Sequence, residues 1–296
     1  MTDSPLFPLS LSFPRRPRTA HKGTFGTVLV VAGQTTMLGA PCFVAAGALR
    51  SGCGLVRLAV PGEILLTCLS LVPSAIGIIR DDVAQIVTAI DEHTVIAAGP
   101  GLGLGVSEAS LMRQLLQVQR PMVLDGDALT HLSRFGPRAQ RGLPASSLSN
   151  PFPLILTPHP GEYARLAATW NCPTLPDEAT DCQRRAAAND LARAMQAIIV
   201  LKGHATVVSD GRQCWTCAVG NPTLAIPGSG DVLTGVIAGL LSQGMPGFEA
   251  AVLGVQVHGM AGDLCLEQRP FGMLALELAA YIPEAARRFA ADGRHT

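Results

Sequence analysis

Residues 27–52 read TVLVVAGQTTMLGAPCFVAAGALRSG and contain one complete unit of the predicted fold. The aliphatic run at 27–32 predicts a buried strand, because strands that are covered on both faces of a parallel sheet are apolar without alternation. A glycine-rich loop follows at 33–39, and the small and apolar residues of 40–52 predict a helix. The stretch therefore predicts a strand, a loop and a helix in succession, which is the repeating unit of α/β sheets.

The same unit recurs along the chain. Further apolar runs predict strands at residues 55–60, 94–98, 122–125, 154–157 and 197–201, and alanine-rich or amphipathic segments predict helices at 107–119, 161–168 and 179–195. Residues 206–209 and 213–218 flank Asp210-Gly211, a dipeptide that favours a hairpin turn. Two last helices are predicted at 231–242 and 248–267. The alternation predicts an α/β fold with a mostly parallel, doubly wound sheet and helices on both faces, forming three layers.

Composition excludes several classes of protein. The chain has 296 residues, of which 48% are hydrophobic and 15% charged, so it can bury a large core and is not intrinsically disordered. Its formal net charge of zero provides no basic field for nucleic acid, which is therefore not an expected partner. The most apolar stretch, 64–79, contains polar residues and is shorter than the roughly 20 residues that a membrane span needs. No membrane partner is expected, and the predicted location is the cytoplasm.

The predicted organisation is an irregular leader at residues 1–20 and a single catalytic domain at 21–296, with a surface loop at 135–153. Eight cysteines are scattered through the chain, which favours reduced thiols. Cys214 and Cys217 form an isolated CxxC. Half of a zinc site, a redox pair and two ordinary strand thiols all remain open for them, with the last favoured because no second pair is present.

Four glycine-rich loops follow predicted strands. They lie at residues 33–41, 99–103, 125–127 and 157–162. Ligands of open α/β sheets bind outside the carboxyl ends of the strands, so these loops are expected to line one pocket.

A fifth glycine cluster, Gly228-Ser229-Gly230-Asp231, precedes a predicted helix and indicates an anion site. Such a turn aims unpaired backbone N–H groups at one point, where the helix dipole also favours a phosphate. Two interpretations of Asp231 stay open: a helix N-cap, or a base that accepts a proton from a substrate hydroxyl. Lys202 is either a solvated charge at a strand end or a contact to a nucleotide. Neither a P-loop nor a GxGxxG fingerprint is present.

Seven motifs occur in the order found in one enzyme family. They are HKGTFG (21–26), GAP (39–41), GPGLG (99–103), LDGDAL (124–129), LTPHPGE (156–162), LKG (201–203) and GSGDVLTG (228–235). With them the sequence closely resembles the ADP/ATP-dependent NAD(P)H-hydrate dehydratases, which have a ribokinase-like fold and correspond to the C-terminal domain of the YjeF family. No epimerase domain is expected ahead of residue 21, so the resemblance is to the stand-alone form.

The resemblance implies a repair reaction. ADP would phosphorylate the C6 hydroxyl of the S epimer of hydrated NADH or NADPH (NADHX or NADPHX), and loss of phosphate would restore NAD(P)H. ADP is expected rather than ATP, together with Mg²⁺. A homo-oligomer, such as a tetramer, is also expected, with the helices at 40–52 and 248–267 packing against partner copies.

The resemblance also implies roles for individual residues. Asp231 would be the catalytic base and would contact NAD(P)HX. The anion loop would be formed by Gly228, Ser229 and Gly230. The other implied contacts are Ala40, Gly101, Gly103 and His159 to the hydrated dinucleotide; Lys202, Gly203, His204, Ala205, Thr206 and Gly230 to ADP and AMP; Asp125 and Asn221 in support; and Glu162 and Asp127 as outer-sphere metal ligands.

One departure from the family pattern lies beside the anion loop. Ala225-Ile226-Pro227-Gly228 stands where the family commonly has Ala-Thr-Gly-Gly, so proline removes one N–H donor and weaker nucleotide binding is expected. Two other functions remain alternatives. A ribokinase-like kinase of a vitamin precursor alcohol would share Gly230-Asp231 but has no reason to carry the 157–162 motif, and a non-catalytic module would bind nucleotide without turnover.

Overall fold

The side chains of the first strand, β1 (Thr27–Val31), point alternately into two apolar cores. Val28 and Val30 belong to one core and Leu29 and Val31 to the other, and all four are fully buried. A strand that is buried on both faces needs a layer of helices on each side of the sheet. The computed structural model, which describes residues 11–137, 152–268 and 272–292, shows this arrangement.

The described residues form a nine-stranded sheet in the order β3-β2-β1-β4-β5-β6-β7-β8-β9. After β1 the strands are β2 (Leu55–Val60), β3 (Ile76–Ile79), β4 (Thr94–Ala98), β5 (Met122–Leu124), β6 (Leu154–Leu156), β7 (Ile198–Leu201), β8 (Val207–Ser209) and β9 (Cys214–Thr216). The first seven are parallel to one another. Strand β8 pairs antiparallel with β7, and β9 pairs antiparallel with β8. The strand order reverses between β1 and β4, which are hydrogen-bonded neighbours, so a crevice is expected at their carboxyl ends.

The helices divide between the two faces according to the core that each one joins. One face carries α1 (Gly39–Arg50), α2 (Gly62–Leu71), α8 (Ser229–Ser242), α9 (Gly247–Gln268) and α10 (Ala275–Asp292). The other carries α3 (Val83–Thr88), α4 (Val106–Leu115), α5 (Asp127–Phe135), α6 (Pro160–Thr169) and α7 (Asp181–Met195). The predicted three-layer α/β architecture is confirmed.

Close packing of α1 against α8 depends on glycine. A Cβ on Gly47 would lie 2.3 Å from the carbonyl oxygen of Val232, and one on Gly235 would lie 2.0 Å from that of Val44. The small residues of α1 therefore serve packing inside the chain, and α9 is buried along most of its length. This is a different role from the contacts between copies that the sequence suggested for these helices, and the homo-oligomer stays a prediction.

All the predicted strands and helices are present, with ends that shift by a few residues. The predictions omitted α2, β3, α3, α5 and α10. The apolar stretch 64–79, considered only as a membrane span, instead forms most of α2 and the edge strand β3. No helix among the described residues is long and apolar enough to cross a membrane. The predicted loop at 135–153 lies mostly outside the described residues.

Residues 11–20 contain no helix or strand. The hairpin is confirmed: β8 pairs with β9, and Gly211 has a φ of 86° in the turn between them. Cys214 lies in β9 and Cys217 follows it, and burial raises the pKa of both thiols. Within the described parts of the chain, no group of three His, Cys, Asp or Glu side chains is placed to hold a metal ion. The choice of two ordinary strand thiols for this pair stays a prediction.

Candidate active site

Three ionisable side chains meet where β5, β6 and β7 end. Asp125 follows β5, Glu162 lies in the first turn of α6 after β6, and Lys202 follows β7. The Lys202 Nζ donates to Asp125 Oδ1 at 2.7 Å and lies 3.9 Å from Glu162 Oε2. The side chains of Asp125 and Glu162 are only 3% and 6% exposed, so the lysine neutralises carboxylates that have little contact with water.

Helix α8 is attached to this cluster at its first turns. The Thr234 hydroxyl donates to Asp125 Oδ2 at 2.9 Å. A Cβ on Gly230 would lie 3.1 Å from Lys202 Nζ and 3.6 Å from Asp125 Oδ2. The glycine therefore lets the helix start approach the lysine directly, and the next residue along the helix is Asp231.

Asp231 is not the helix cap. The helix begins at Ser229, two residues earlier than predicted, and Gly228 is its N-cap with a φ of 87°. Asp231 therefore lies inside the first turn, and none of the described residues donates a hydrogen bond to its carboxylate. The capping interpretation of Asp231 is wrong because the glycine's left-handed backbone, rather than a side chain, starts the helix.

The first turn of α8 presents backbone donors. The Ser229 N–H bonds the Ile226 carbonyl at 3.3 Å, and the Val232 N–H bonds the Gly228 carbonyl at 3.0 Å. Within the described residues, the N–H groups of Gly230 and Asp231 have no backbone acceptor, as is usual for a helix start. Together with Lys202 they form a site suited to a phosphate. Pro227, which lacks an N–H, precedes this turn.

Burial raises the pKa of Asp231 to about 7, and the negative charges of Asp125 and Glu162 add to this effect while Lys202 opposes it. Burial also raises the pKa of Glu162 to about 7, against the lowering influence of Lys202. For Lys202, burial alone would lower the pKa, but the surrounding carboxylates, led by Asp125, outweigh burial and raise it. A carboxylate whose pKa is near neutral can accept and release a proton at working pH, as a general base must.

His159 caps α6. Its ring Nδ1 accepts from the Gly161 N–H at 3.0 Å. The backbone N–H of His159 donates to Glu162 Oε2 at 2.8 Å. The Nε2 lies 3.6 Å from Glu162 Oε1, and half of the side chain is exposed. Burial and the charge of Lys202 lower the pKa of His159, which favours the uncharged ring. Since Nδ1 accepts a hydrogen bond, the proton of the uncharged ring is on Nε2. This suits hydrogen bonding to a ligand better than proton transfer.

The predicted nucleotide loop, residues 202–206, is held by hydrogen bonds from α7. The Arg184 guanidinium donates to the carbonyls of Leu201 and Lys202 at 3.1 and 3.2 Å. The backbone of the loop turns sharply at Gly203, which has a φ of 139°, and the side chain of His204 is exposed. Ala205 also has a positive φ, of 52°, and the Thr206 hydroxyl donates to the Gly203 carbonyl at 3.1 Å.

On the other side of the crevice, the loops after β1 and β4 touch. A Cβ on Gly101 would lie 3.3 Å from the Cβ of Ala40, which places two predicted dinucleotide contacts side by side. Gly103 is held at both backbone polar groups: its N–H donates to Asp127 Oδ2 at 2.8 Å, and its carbonyl lies 2.9 Å from His131 Nε2.

A family profile described as NAD(P)H-hydrate dehydratase matches residues 28–284. The chain belongs to this family. It is 38% identical to the ADP-dependent (S)-NAD(P)H-hydrate dehydratase of Neisseria meningitidis, over 93% of this chain and 88% of that protein. A crystal structure of the Bacillus subtilis ADP/ATP-dependent dehydratase, co-crystallised with ATP and Mg²⁺, superposes with a TM-score of 0.79, at 32% identity over 95% of each chain.

Relatives with two activities are also similar. The bifunctional NAD(P)H-hydrate repair enzyme of Moorella thermoacetica is 39% identical over 93% of this chain. The chain spans about half the length of such relatives, 52% in this case.

The structure places Asp125, Glu162, Lys202 and Gly230 in one cluster, with Asp231 next to Gly230. Two other predicted residues form hydrogen bonds outside this cluster. Asp127 bonds Gly103, as described above. Asn221 donates from Nδ2 to Asp263 Oδ1 at 2.8 Å and accepts from the Thr223 N–H at 2.9 Å, so it caps the short 3₁₀ turn Pro222–Leu224.

A metal ion at this site would rely mainly on phosphate oxygens. Mg²⁺ commonly takes only one or two protein carboxylates besides the phosphates of its ligand. Both oxygens of Asp125 already accept hydrogen bonds, from Lys202, the Gly126 N–H and Thr234. Glu162 Oε1 lies 3.6 Å from His159 Nε2 and accepts no hydrogen bond from the residues that the structure describes. The donor set therefore fits a phosphate-bound Mg²⁺ near Glu162, whereas Asp127 is already used by Gly103.

Sequence reasoning missed the side chains that hold these loops. Besides Arg184 and Thr234, the 6% exposed Arg80 donates to the carbonyls of Gly33 and Leu102 and to Glu108 Oε1. Arg80 thereby joins the loops after β1 and β4. No local motif marks Arg80, because its partners lie 22 to 47 positions away along the chain.

Proposed function

We propose that this chain is an ADP-dependent dehydratase that returns the S epimer of hydrated NADH or NADPH to NADH or NADPH. The proposal depends on one observation: the first turn of α8 brings Gly230 beside Lys202 and carries both free backbone N–H groups and the buried Asp231 carboxylate, whose pKa is about 7. An anion site beside a base of near-neutral pKa is what phosphorylation of a hydroxyl requires. The family to which the chain belongs supports the choice of substrate.

In this proposal Asp231 takes the proton of the C6 hydroxyl while the hydroxyl oxygen attacks the β-phosphorus of ADP. The bond between the β-phosphorus and the oxygen that bridges to the α-phosphate breaks, and AMP leaves. The N–H groups of Gly230 and Asp231 and the ammonium of Lys202 hold the transferred phosphoryl group. The ring nitrogen then expels phosphate from C6, and loss of a proton from C5 restores the double bond.

Glu162 would hold the Mg²⁺, which supplies neutralisation of charge on the phosphate oxygens. Lys202 to Thr206 would bind the ADP, and Ala40, Gly101, Gly103 and the His159 Nε2–H would contact the hydrated dinucleotide. Asp125 acts in support, because both of its oxygens are engaged in holding Lys202 and α8 in place. We extend the proposal to ADP rather than ATP as donor, in keeping with the Neisseria meningitidis relative.

The proposal is tested by incubating the purified chain with hydrated NADH, ADP and Mg²⁺. The expected result is a rise in dihydronicotinamide absorbance with equal amounts of AMP and free phosphate, and no rise without ADP. A phosphorylated product that accumulates without restored NADH would instead support a ribokinase-like kinase. Binding of ADP without any turnover would support a non-catalytic module, and either outcome would overturn the proposal.

A further inference from the structure

His258 lies on α9 and its ring reaches the start of α8. The residue is only 8% exposed. Its Nε2 lies 3.0 Å from the Ser229 carbonyl oxygen and 3.3 Å from the Ser229 hydroxyl oxygen. The ring therefore contacts the anion loop from the side of the protein interior.

The contact fixes the state of the ring. A carbonyl oxygen can only accept a hydrogen bond, so Nε2 carries the proton and donates it to Ser229. Burial lowers the pKa of His258 to about 4, with a further contribution from the charge of Lys202, although the bond to Ser229 opposes this. The imidazole is therefore neutral at every pH at which the enzyme would work.

The carbonyl of Ser229 and the N–H of Gly230 belong to the same peptide unit. This unit is planar and trans, so the two groups point in opposite directions and move together. A donor that holds the Ser229 oxygen also sets the direction of the Gly230 N–H. Gly230 itself lies beside Lys202, since a Cβ added to it would be 3.1 Å from Lys202 Nζ. Polarisation through the peptide further strengthens that N–H as a donor.

Helix α9 also holds the other end of the segment that leads into α8. Asp263 accepts from the Gly220 N–H at 3.0 Å and from Asn221 Nδ2 at 2.8 Å. A Cβ on Gly259 would lie 3.0 Å from the Val219 carbonyl oxygen, so the backbones are in close contact. The segment from Val219 to Ser229 is thus anchored to α9 at both ends.

We infer that His258 is a positioning residue for phosphoryl transfer: its Nε2–H holds the Ser229–Gly230 peptide so that the Gly230 N–H points at the transferred phosphoryl group. The inference rests on the proposed function for the identity of the reaction. His258 lies 27 positions beyond Asp231 and outside all seven motifs. The inference gives it a specific effect on the transition state.

The test compares His258→Leu with His258→Gln. Leucine fills the space without a donor, whereas glutamine can place an amide N–H near the position of Nε2. Outright loss of one donor to a transition state costs about 10²- to 10³-fold in kcat. His258→Leu misaligns the Gly230 N–H without removing it, so kcat is expected to fall by about 10- to 100-fold, with the KM for hydrated NADH changed less than about threefold. His258→Gln is expected to recover most of kcat.

Val257→Ala is the matched control. Val257 is fully buried on the same helix, so its truncation lowers stability by creating a cavity without removing a hydrogen bond to the anion loop. It is expected to lower Tm while leaving kcat within about twofold of the wild type. A His258→Leu protein with wild-type kcat, or a His258→Gln protein no better than the leucine variant, would overturn the inference.

Binding measurements separate the inference from the proposed function. ADP and AMP are titrated into the wild-type and His258→Leu proteins by calorimetry. Because the β-phosphate of ADP is the group expected at the Gly230 N–H, the variant should lose about 5- to 20-fold more affinity for ADP than for AMP. If the wild type turns over and the variant matches it, only the inference fails. If the wild type shows no turnover, the proposed function fails, and the ratio of ADP to AMP affinity still decides the inference.

Discussion

The two sides of the candidate site are built from different materials. One side, here called the charged wall, consists of Asp125, Glu162, Lys202 and Asp231, which are ionisable side chains at the ends of three strands and the start of α8. The other, here called the backbone wall, consists of the loops at 33–41 and 99–103, where glycines let the main chain line the crevice.

The walls also differ in what holds them. Members of the charged wall hold one another, since Lys202 bonds Asp125 and Asp125 bonds Thr234 of α8. The backbone wall is held from behind by Arg80, Asp127 and His131. We therefore expect the reacting groups to lie on the charged wall and the backbone wall to set the shape of the crevice. Changes to the charged wall should affect kcat, and changes behind the backbone wall should affect the KM of the dinucleotide.

The largest expected effect comes from Asp231→Asn. The amide keeps the size of the side chain but cannot accept the hydroxyl proton, so kcat should fall by about 10³-fold while ADP still binds. Steady-state rates of NADH formation measure the loss. Asp177→Asn, at an exposed aspartate, is the control and should keep the wild-type rate. Full activity of Asp231→Asn would show that Asp231 is not the catalytic base.

Arg80→Met tests the backbone wall. Methionine removes the hydrogen bonds to the carbonyls of Gly33 and Leu102, so the two loops should lose their fixed spacing. The KM for hydrated NADH is expected to rise about 10-fold, with kcat and the KM for ADP changed less than about threefold. The control is Arg212→Met, at an exposed arginine. A fall in kcat at unchanged KM would contradict the division between the walls.

The smallest effect is on stability. The folded-state pKa of Asp231 is raised from 3.8 to about 7, so folding binds a proton between these pH values and the free energy of unfolding falls as pH rises through them. Asp231→Asn removes this cost. The full shift corresponds to roughly 4 kcal/mol. The buried amide of the variant also loses its hydration, so at pH 8 the variant should be more stable by only roughly 1–2 kcal/mol, or about 2–6 °C in Tm. The gain should shrink as the pH falls toward 4. A variant that is less stable at pH 8 would show that the ionised carboxylate of Asp231 does not destabilise the folded protein.

Both walls were predicted in part from sequence. Chain position alone predicted that the loops at 33–41, 99–103, 125–127 and 157–162 share one pocket, whereas Lys202 and Asp231 were assigned to the site only through the family resemblance. The helix start at Ser229 was missed because the left-handed backbone of Gly228 caps the helix without a side chain. The helix α2 and the strand β3 were missed because the stretch 64–79 was considered only as a membrane span, although Pro73-Ser74 separates the two elements.

The residues behind the walls could not be predicted. Arg80 and His258 gain their roles from contacts with Gly33 and Ser229, which lie 47 and 29 positions away. Their sequence neighbours show only a strand end and a helix interior. Such contacts depend on the packing of whole elements, which a single sequence does not specify locally.

The dependence of kcat/KM on pH tests the central claim most directly, namely that Asp231 acts as a base whose pKa is set by the charged wall. With ADP and Mg²⁺ saturating, kcat/KM for hydrated NADH should rise with pH and reach half its maximum near pH 7, because only the ionised carboxylate accepts the proton. In Glu162→Gln the rise should move to lower pH, since the charge of Glu162 helps to raise the pKa of Asp231. A profile that is flat from about pH 5 to about pH 9 in the wild type would contradict the claim.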